Sequence, residues 1–305
     1  MKTSFLDLPA ERSGLISVTD SMSRTSKARD LSQVQHVIID PHGSWKVPPV
    51  RGLEEHLARY DSRSIKRYFA TERDLGVPEL RGALLDRLPN ALAIHFNVNR
   101  GLADPNRQPS FALPALTKAA PAATQKELLA RHIAAGKAVD AILARLNGNV
   151  RISLLHSTEF YKAPDLKELD LSCAADFERS LDAVCGIGPV EYQNCFITGD
   201  ANGSTHGDRR FRLALQSHLM AIGIPFVLDD PYVTQLGRHL TSSYMLSYPG
   251  RVNAVDWRKD ALAEGSGKDG TFALDRSEAD PKKIECIAEL FADALKKATH
   301  DCLAR

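Results

Sequence analysis

The chain has 305 residues, of which 43% are hydrophobic and 25% charged, and its formal net charge at pH 7 is +1. These values are ordinary for a globular protein and argue against a disordered chain, and without a dense Lys/Arg block nothing indicates nucleic-acid binding. A run of about 18 apolar residues, which a membrane span requires, is absent from the sequence, and the first ten residues lack the apolar segment of a signal peptide.

The cysteines bear on the expected location of the protein. There are five of them, they form no Cys-x-x-Cys pair, and their odd number fits reduced thiols better than a disulfide framework. We therefore expect a cytoplasmic, enzyme-sized protein, with neither a nucleic acid nor a membrane as partner. Homo-oligomerisation is left open.

The pattern along the chain predicts one α/β domain. Residues 1–30 are polar and lack a sustained period, so we expect a polar N-terminal arm there. From residue 31 to residue 305, strand-like apolar runs alternate with stretches of helical period, which predicts a mostly parallel mixed sheet flanked by helices. The predicted strands are residues 34–39, 92–98, 150–155, 195–198, 224–228 and 252–257. The predicted helices are residues 59–71, 125–146, 177–184, 209–222 and 281–297.

Two histidines follow short apolar runs, and each has a serine close behind it. His42 comes after the first predicted strand, and His156 comes at the end of the third. A strand that ends in a histidine brings an imidazole to the carboxyl edge of the sheet, where open α/β folds bind their ligands. Two such histidines on neighbouring strands can hold a metal such as Zn²⁺. For each histidine alone, a hydrogen-bonded residue of the core or the sheet edge is the alternative.

Seven motifs occur in a characteristic order along most of the chain. They are Pro41-His42-Gly43-Ser44, Asp61 before a helix, Asn99-Arg100 after a strand, His156-Ser157, the turn of residues 199–205, Asp230-Pro231-Tyr232, and residues 255–260. In this order the chain resembles the N-formylglutamate amidohydrolase family, which is related in fold to the zinc carboxypeptidases. The resemblance implies a zinc-carboxypeptidase-like fold and hydrolysis of a linear amide C–N bond, with removal of an N-formyl or N-acyl group from a small amino-acid-like substrate that bears a carboxylate.

The resemblance also implies one Zn²⁺ per chain, held by two histidines and one carboxylate. His42 and His156 match the two histidines of the family, and Asp61 stands where the family has its acidic residue at the start of the next helix. Glu54 and Glu55 are alternatives for the same position. From the sequence alone, Asp61 is explained equally well as a helix cap, because aspartate before a helix is a favoured capping residue.

The family further implies a carboxylate that takes a proton from the attacking water and passes it to the leaving amine. The family has a glutamate near the last strand, whereas this chain has Asp256, which is shorter by one methylene. An ion pair with Arg258 or Lys259 at the strand end is the alternative role for Asp256.

Arg100 is the expected anion clamp and, with Asp256, an expected catalytic residue. A guanidinium binds a carboxylate through two parallel hydrogen bonds, and the family resemblance points the same way. A surface ion pair with Asp104 or another acid is the alternative, and Arg107 could take over the clamp. The other expected substrate contacts are Asn99, Tyr232 and Arg238.

Two other functions remain open from the sequence. The shorter carboxylate at Asp256 and the altered segment after Tyr232 suggest a binding protein of the same fold that has lost hydrolysis. A zinc carboxypeptidase that acts on peptide C-termini would share the metal, the base and the arginine clamp.

Overall fold

A computed structural model describes residues 14–21, 31–146, 148–158, 169–184, 194–199, 205–229, 238–264 and 277–303. Tyr232, an expected substrate contact, lies outside these ranges, as does most of the turn of residues 199–205. Among the described residues, no helix is both long enough and apolar enough to cross a membrane.

One mixed sheet organises the described part of the chain. Its strands are β1 (Ile16–Asp20), β2 (His36–Asp40), β3 (Ala91–Phe96), β4 (Arg151–Thr158), β5 (Asn194–Ile197), β6 (Phe226–Leu228) and β7 (Val252–Arg258). The order across the sheet is β1-β3-β2-β4-β7-β5-β6. Strands β3, β2, β4 and β7 are parallel, β1 is antiparallel to β3, and the parallel pair β5–β6 joins β7 in antiparallel fashion. The predicted single α/β domain with a mostly parallel sheet is confirmed.

Helices cover both faces of this sheet. They are α1 (Leu53–Leu57), α2 (Ser62–Thr71), α3 (Val77–Arg87), α4 (Ala115–Lys118), α5 (Ala122–Leu143), α6 (Ala174–Val184), α7 (Arg209–Ala221), α8 (Leu240–Ser247), α9 (Lys259–Leu262) and α10 (Pro281–Leu303). A short pair of strands, β8 (Ala263–Glu264) and β9 (Glu278–Ala279), lies outside the main sheet. Successive side chains of a strand face opposite sides, so Ile38 packs with α3, α7 and α10, whereas Val37 and Ile39 pack with α5 and α8.

The prediction of an N-terminal arm is wrong for residues 16–20, because these residues form the edge strand β1. Ile16 and Val18 alternate with more exposed residues and are 1% and 8% exposed, since they pack in the core beside β3. The sequence also did not predict α3, whose Val77, Leu80 and Leu84 are fully buried against the opposite face of the sheet.

His36, buried at the first position of β2, predicts a pH-dependent stability. Burial, together with the positive charges of Arg151 and Lys296, lowers the pKa of His36 to about 4. In the unfolded chain a histidine titrates near 6.5, so the unfolded state binds more protons below that pH and acid favours unfolding. When the pH is lowered from 8 to 5, we expect the free energy of unfolding to fall in both the wild type and His36→Phe. We expect the loss to be about 2 kcal/mol smaller in His36→Phe, which lacks the buried histidine. Urea unfolding at both pH values measures this, and equal losses in the two proteins would contradict it.

Candidate metal centre

The carboxyl ends of the central parallel strands bring several polar side chains together. His42 follows β2 by two residues, Arg100 follows β3, and His156 and Asp256 lie near the ends of β4 and β7. His156 and Asp256 are direct partners in the β4–β7 register, so their side chains lie on the same face of the sheet. The two histidines therefore lie close together at this edge of the sheet, as expected.

A third residue, Asp74, completes a group that can hold a metal. The ligand atoms of His42, Asp74 and His156 all lie within 4.8 Å of one another. Asp74 Oδ2 is 3.3 Å from His42 Nδ1 and 3.5 Å from His156 Nδ1. The three residues are 4%, 1% and 5% exposed, so the group is buried. We call these three residues the metal group.

The donor atoms of the metal group fit a divalent ion of the zinc type. Two ligand atoms on a tetrahedral zinc ion, with bonds of about 2.0–2.2 Å, are about 3.3–3.6 Å apart, which agrees with the two distances at Asp74 Oδ2. Asp74 Oδ2 and His156 Nε2 are buried without a hydrogen bond among the described residues. Buried polar atoms are rarely left unpaired, and a cation would satisfy the carboxylate oxygen.

Asp104 fixes the orientation of His42. Its Oδ1 lies 2.8 Å from His42 Nε2 and also accepts a hydrogen bond from the Asn106 backbone N–H at 2.9 Å. Metal-binding histidines typically donate their second ring N–H to a carboxylate, which fixes the tautomer. With the proton on Nε2, the Nδ1 lone pair of His42 is directed towards Asp74 and is available for a metal.

The surroundings of the metal group favour the metal-binding forms of Asp74 and His156, whereas His42 has to lose a proton to bind a metal. Burial alone would raise the pKa of Asp74, but the positive charge of His42, the nearby His156 and the positive charge of Arg100 hold that pKa well below its usual range. Burial lowers the pKa of His156. Burial would also lower the pKa of His42, but the carboxylates of Asp104 and Asp74 outweigh it and raise that pKa to about 9.

Asp256 can hold a proton near neutral pH. Burial, together with the negative charge of Asp74, raises the pKa of Asp256 to about 8, although the positive charge of Arg100 opposes the rise. Asp256 is 8% exposed, and its Oδ1 makes no hydrogen bond within the described residues. A carboxyl group that exchanges a proton near pH 7 suits general acid–base work.

Arg100 lies beside the metal group. Its Nη1 is 3.3 Å from His42 Nδ1 and 3.6 Å from Asp74 Oδ1, and its Nε donates a hydrogen bond to Glu72 Oε2 at 2.9 Å. Arg100 therefore pairs with Glu72 and Asp74, so the alternative of an ion pair with Asp104 or another acid is met by two other acids. Arg107, the alternative clamp, lies between Asp104, at 3.5 Å, and His239.

Asp61 does not belong to the metal group, and its expected role as a ligand is wrong. Its exposed side chain caps α2, where Oδ2 accepts hydrogen bonds from the backbone N–H groups of Arg63 and Ser64 at 2.8 and 3.0 Å. The alternatives Glu54 and Glu55 are exposed on α1 and are also absent from the group.

Asn99 has a structural role, which corrects its assignment as a substrate contact. The side chain is fully buried, and its Nδ2 donates to the carbonyl oxygens of Ser44 and Phe69 at 3.0 and 3.1 Å. Its Oδ1 accepts the Gly101 backbone N–H at 2.9 Å. Both amide hydrogens are thus used to join the loop of Asn99 to the loop of Ser44 and to helix α2. Arg238 is exposed, with its guanidinium carbon 4.7 Å from the centre of the Phe111 ring, and its contact with substrate stays a prediction.

Asp40 positions the turn that carries His42. It is fully buried, and its carboxylate accepts hydrogen bonds from the Gly43 backbone N–H at 2.8 Å and from Arg81 Nη1 at 2.9 Å, with His95 Nδ1 at 3.1 Å. The turn is too tight for a side chain at residue 43, because a Cβ there would lie 2.3 Å from Asp40 Oδ2.

We expect Gly43→Ala to weaken metal binding about tenfold or more, because the added methyl group must displace Asp40 and with it the backbone of His42. Gly82→Ala in α3 is the matched control, since a Cβ at residue 82 meets nothing within 4 Å. Zinc affinity measured by competition with a chelator tests this. Equal affinities of the two variants would show that the turn does not set the position of His42.

Comparisons with known proteins show which fold this is. No protein-family model matches the sequence, and no curated protein matches it. Among solved structures, a gene product of Agrobacterium tumefaciens aligns with a TM-score of 0.61 and 12% identity over 96% of this chain and 98% of that one. N-formylglutamate amidohydrolase from Ralstonia eutropha aligns with a TM-score of 0.57 and 14% identity over 95% and 99% of the two chains. The chain has the N-formylglutamate amidohydrolase fold. At these identities the likeness is one of fold, as the family resemblance implied.

Proposed function

We propose that the protein is a zinc-dependent amidohydrolase that removes an N-formyl or N-acyl group from a small amino-acid-like substrate bearing a carboxylate. The observation that carries this proposal is the buried metal group of His42, Asp74 and His156 at the carboxyl edge of the sheet. The N-formylglutamate amidohydrolase fold supports the choice of an amide as the bond that is cleaved.

His42, Asp74 and His156 would hold one Zn²⁺. When bound, that ion would supply a water with a pKa of about 7 and polarise the carbonyl oxygen of the substrate. Asp104 orients the His42 ring with Nδ1 towards Asp74, so the protein holds this ligand atom in place before any metal arrives.

Asp256 would transfer the proton. It accepts a proton from the attacking water and returns it to the amine nitrogen as the C–N bond breaks, so that one water and one amide give a carboxylic acid and an amine. Its place beside His156 in the β4–β7 register puts this carboxylate next to the metal group. Burial raises the pKa of Asp256, which favours a carboxyl group that can serve as both base and acid.

Arg100 would bind the carboxylate of the substrate. Its guanidinium reaches within 3.6 Å of the metal group and is held in place by Glu72. A fixed guanidinium favours an anionic group over a neutral one at the same place. Arg107, on the loop that carries Asp104, is available as a second cation.

A substrate panel with the zinc-reconstituted protein tests the proposal. We expect N-formyl and N-acyl amino acids to be hydrolysed, activity to be lost with a chelator, and activity to return with Zn²⁺. Release of C-terminal residues from tripeptides, without hydrolysis of N-acyl amino acids, would favour a carboxypeptidase. Tight binding of N-acyl amino acids without turnover would favour a binding protein of this fold.

A further inference from the structure

An open groove of about 980 Å³ lies between residues 45–50, helix α1 and helix α2. Its floor is preformed, because Leu53, Ile65 and Phe69 belong to a packed core cluster and are at most 9% exposed. The groove is defined here by its apolar walls, which include Trp45, Val47, Pro48, Leu53, Leu57 and Phe69. We call it the apolar groove.

Two large apolar side chains at the mouth of the apolar groove face solvent. Trp45 is 49% exposed and Val47 is 46% exposed. Neighbouring exposed apolar side chains next to a concave surface are typical of binding sites. The charged residues that line the groove have both signs, namely Glu54, Glu55, Arg51 and Lys66. The groove therefore does not favour a ligand that carries a negative charge at this place.

One wall residue of the apolar groove, Trp45, is close to the metal group along the chain. Trp45 is three residues after His42, so their Cα atoms are at most about 11 Å apart. Arg73, the residue before Asp74, lies over the Trp45 ring with its Cζ 5.2 Å from the ring centre, and its Nε donates to the Gly43 carbonyl at 3.0 Å. The segment that carries Asp74 therefore packs on Trp45, the wall of the groove that follows His42 in the chain.

We infer that the apolar groove binds the acyl part of the substrate, and that the protein acts on amino acids N-acylated with a medium-chain aliphatic or an aromatic acid. This inference rests on the proposed function and specifies its substrate class. A formyl group has no carbon that could reach the groove, whereas each methylene buried there would strengthen binding about fourfold. Arg100 would hold the carboxylate end while the acyl chain extends past Trp45.

Kinetics of N-formyl-, N-acetyl-, N-octanoyl- and N-benzoyl-L-glutamate with the zinc-loaded protein test the inference. We expect kcat/KM for the octanoyl substrate to exceed that for the formyl substrate at least tenfold, mainly through a lower KM. In Trp45→Ala we expect this ratio to fall at least tenfold. Met220→Ala is the matched control, because Met220 is 67% exposed on α7, outside the groove, and we expect its ratio to equal that of the wild type.

Tryptophan fluorescence gives a readout that needs no hydrolysis. The chain has two tryptophans, and Trp257 is fully buried, so a ligand in the groove changes the surroundings of Trp45. We expect N-octanoyl-L-glutamate to shift the emission to shorter wavelength, N-formyl-L-glutamate to leave it unchanged, and Trp45→Phe to abolish the shift.

The two readouts separate the groove from the proposed function. A shift without hydrolysis of any substrate would support the acyl site and overturn the amidohydrolase. Hydrolysis of N-formyl-L-glutamate at the highest kcat/KM, without a shift by the octanoyl compound, would overturn the acyl site alone. Absence of both would overturn both. Emission from Trp45 that is already at short wavelength before any ligand is added would show that protein covers the groove, which also overturns the inference.

Discussion

Asp74→Asn is expected to reduce the zinc content from about one ion per chain to nearly none, and to abolish hydrolysis with it. The amide is a far weaker zinc ligand than a carboxylate, and the change removes the only acidic group among the three residues of the metal group. Elemental analysis of the purified, zinc-reconstituted variant measures the result, with circular dichroism to show that the variant is folded.

Asp61→Asn is the matched control for Asp74→Asn, because the family resemblance names Asp61 as the ligand and the structure makes it a helix cap. Asparagine caps helices about as well as aspartate, so we expect this control to keep its zinc and its stability. Loss of zinc in Asp61→Asn, with zinc kept in Asp74→Asn, would show that Asp61 and not Asp74 is the third ligand.

Asp256→Asn is expected to lower kcat by about 10²–10⁴ while the zinc content stays at about one ion per chain. Asparagine fills nearly the same volume but cannot accept and return a proton, so the proton transfer is lost and the buried site stays intact. Asp260→Asn, four residues further along, is the control: Asp260 pairs with Arg258 and lies outside the metal group. A kcat that falls equally in both variants would remove Asp256 from the proton transfer.

Asp256→Glu introduces the residue that the family has at this position. It distinguishes an active site that is adapted to aspartate from one that has partly lost its activity. Asp256 is 8% exposed and lies in the buried strand β7, so the extra methylene must displace packed neighbours. We therefore expect turnover to fall. A large gain in turnover would instead show that the natural aspartate is a partial loss of function.

The histidines of the metal group could be predicted from the sequence because local signals specify them. Each one follows a short apolar run, such a run is a strand, and parallel strands end at the same edge of the sheet. The sheet itself was predictable for the same reason. Its edge strand β1 was not, because its alternating pattern covers only five residues within a polar segment.

Asp74 was not predictable, because nothing in its neighbourhood along the chain distinguishes it from other surface acids. It lies between α2 and α3, and it reaches the histidines only because α3 folds back on the sheet. Asp61 gave the stronger local signal, since a carboxylate before a helix is either a cap or a ligand, and here the cap is satisfied by two backbone N–H groups. Asp104 is a similar case, because its role depends on the contact with His42 across 62 residues of sequence.

The order of the strands in the sheet affects how the protein folds during its synthesis. During synthesis all three residues of the metal group leave the ribosome before Asp256, which comes 100 residues after His156. Strand β7 then has to insert between β4 and β5. A chain that stops before β7 thus has every metal ligand but leaves β4 with an unpaired edge, and such edges pair with other chains and aggregate. Truncation just before β7 would therefore yield a metal-binding, aggregation-prone product rather than a merely inactive one.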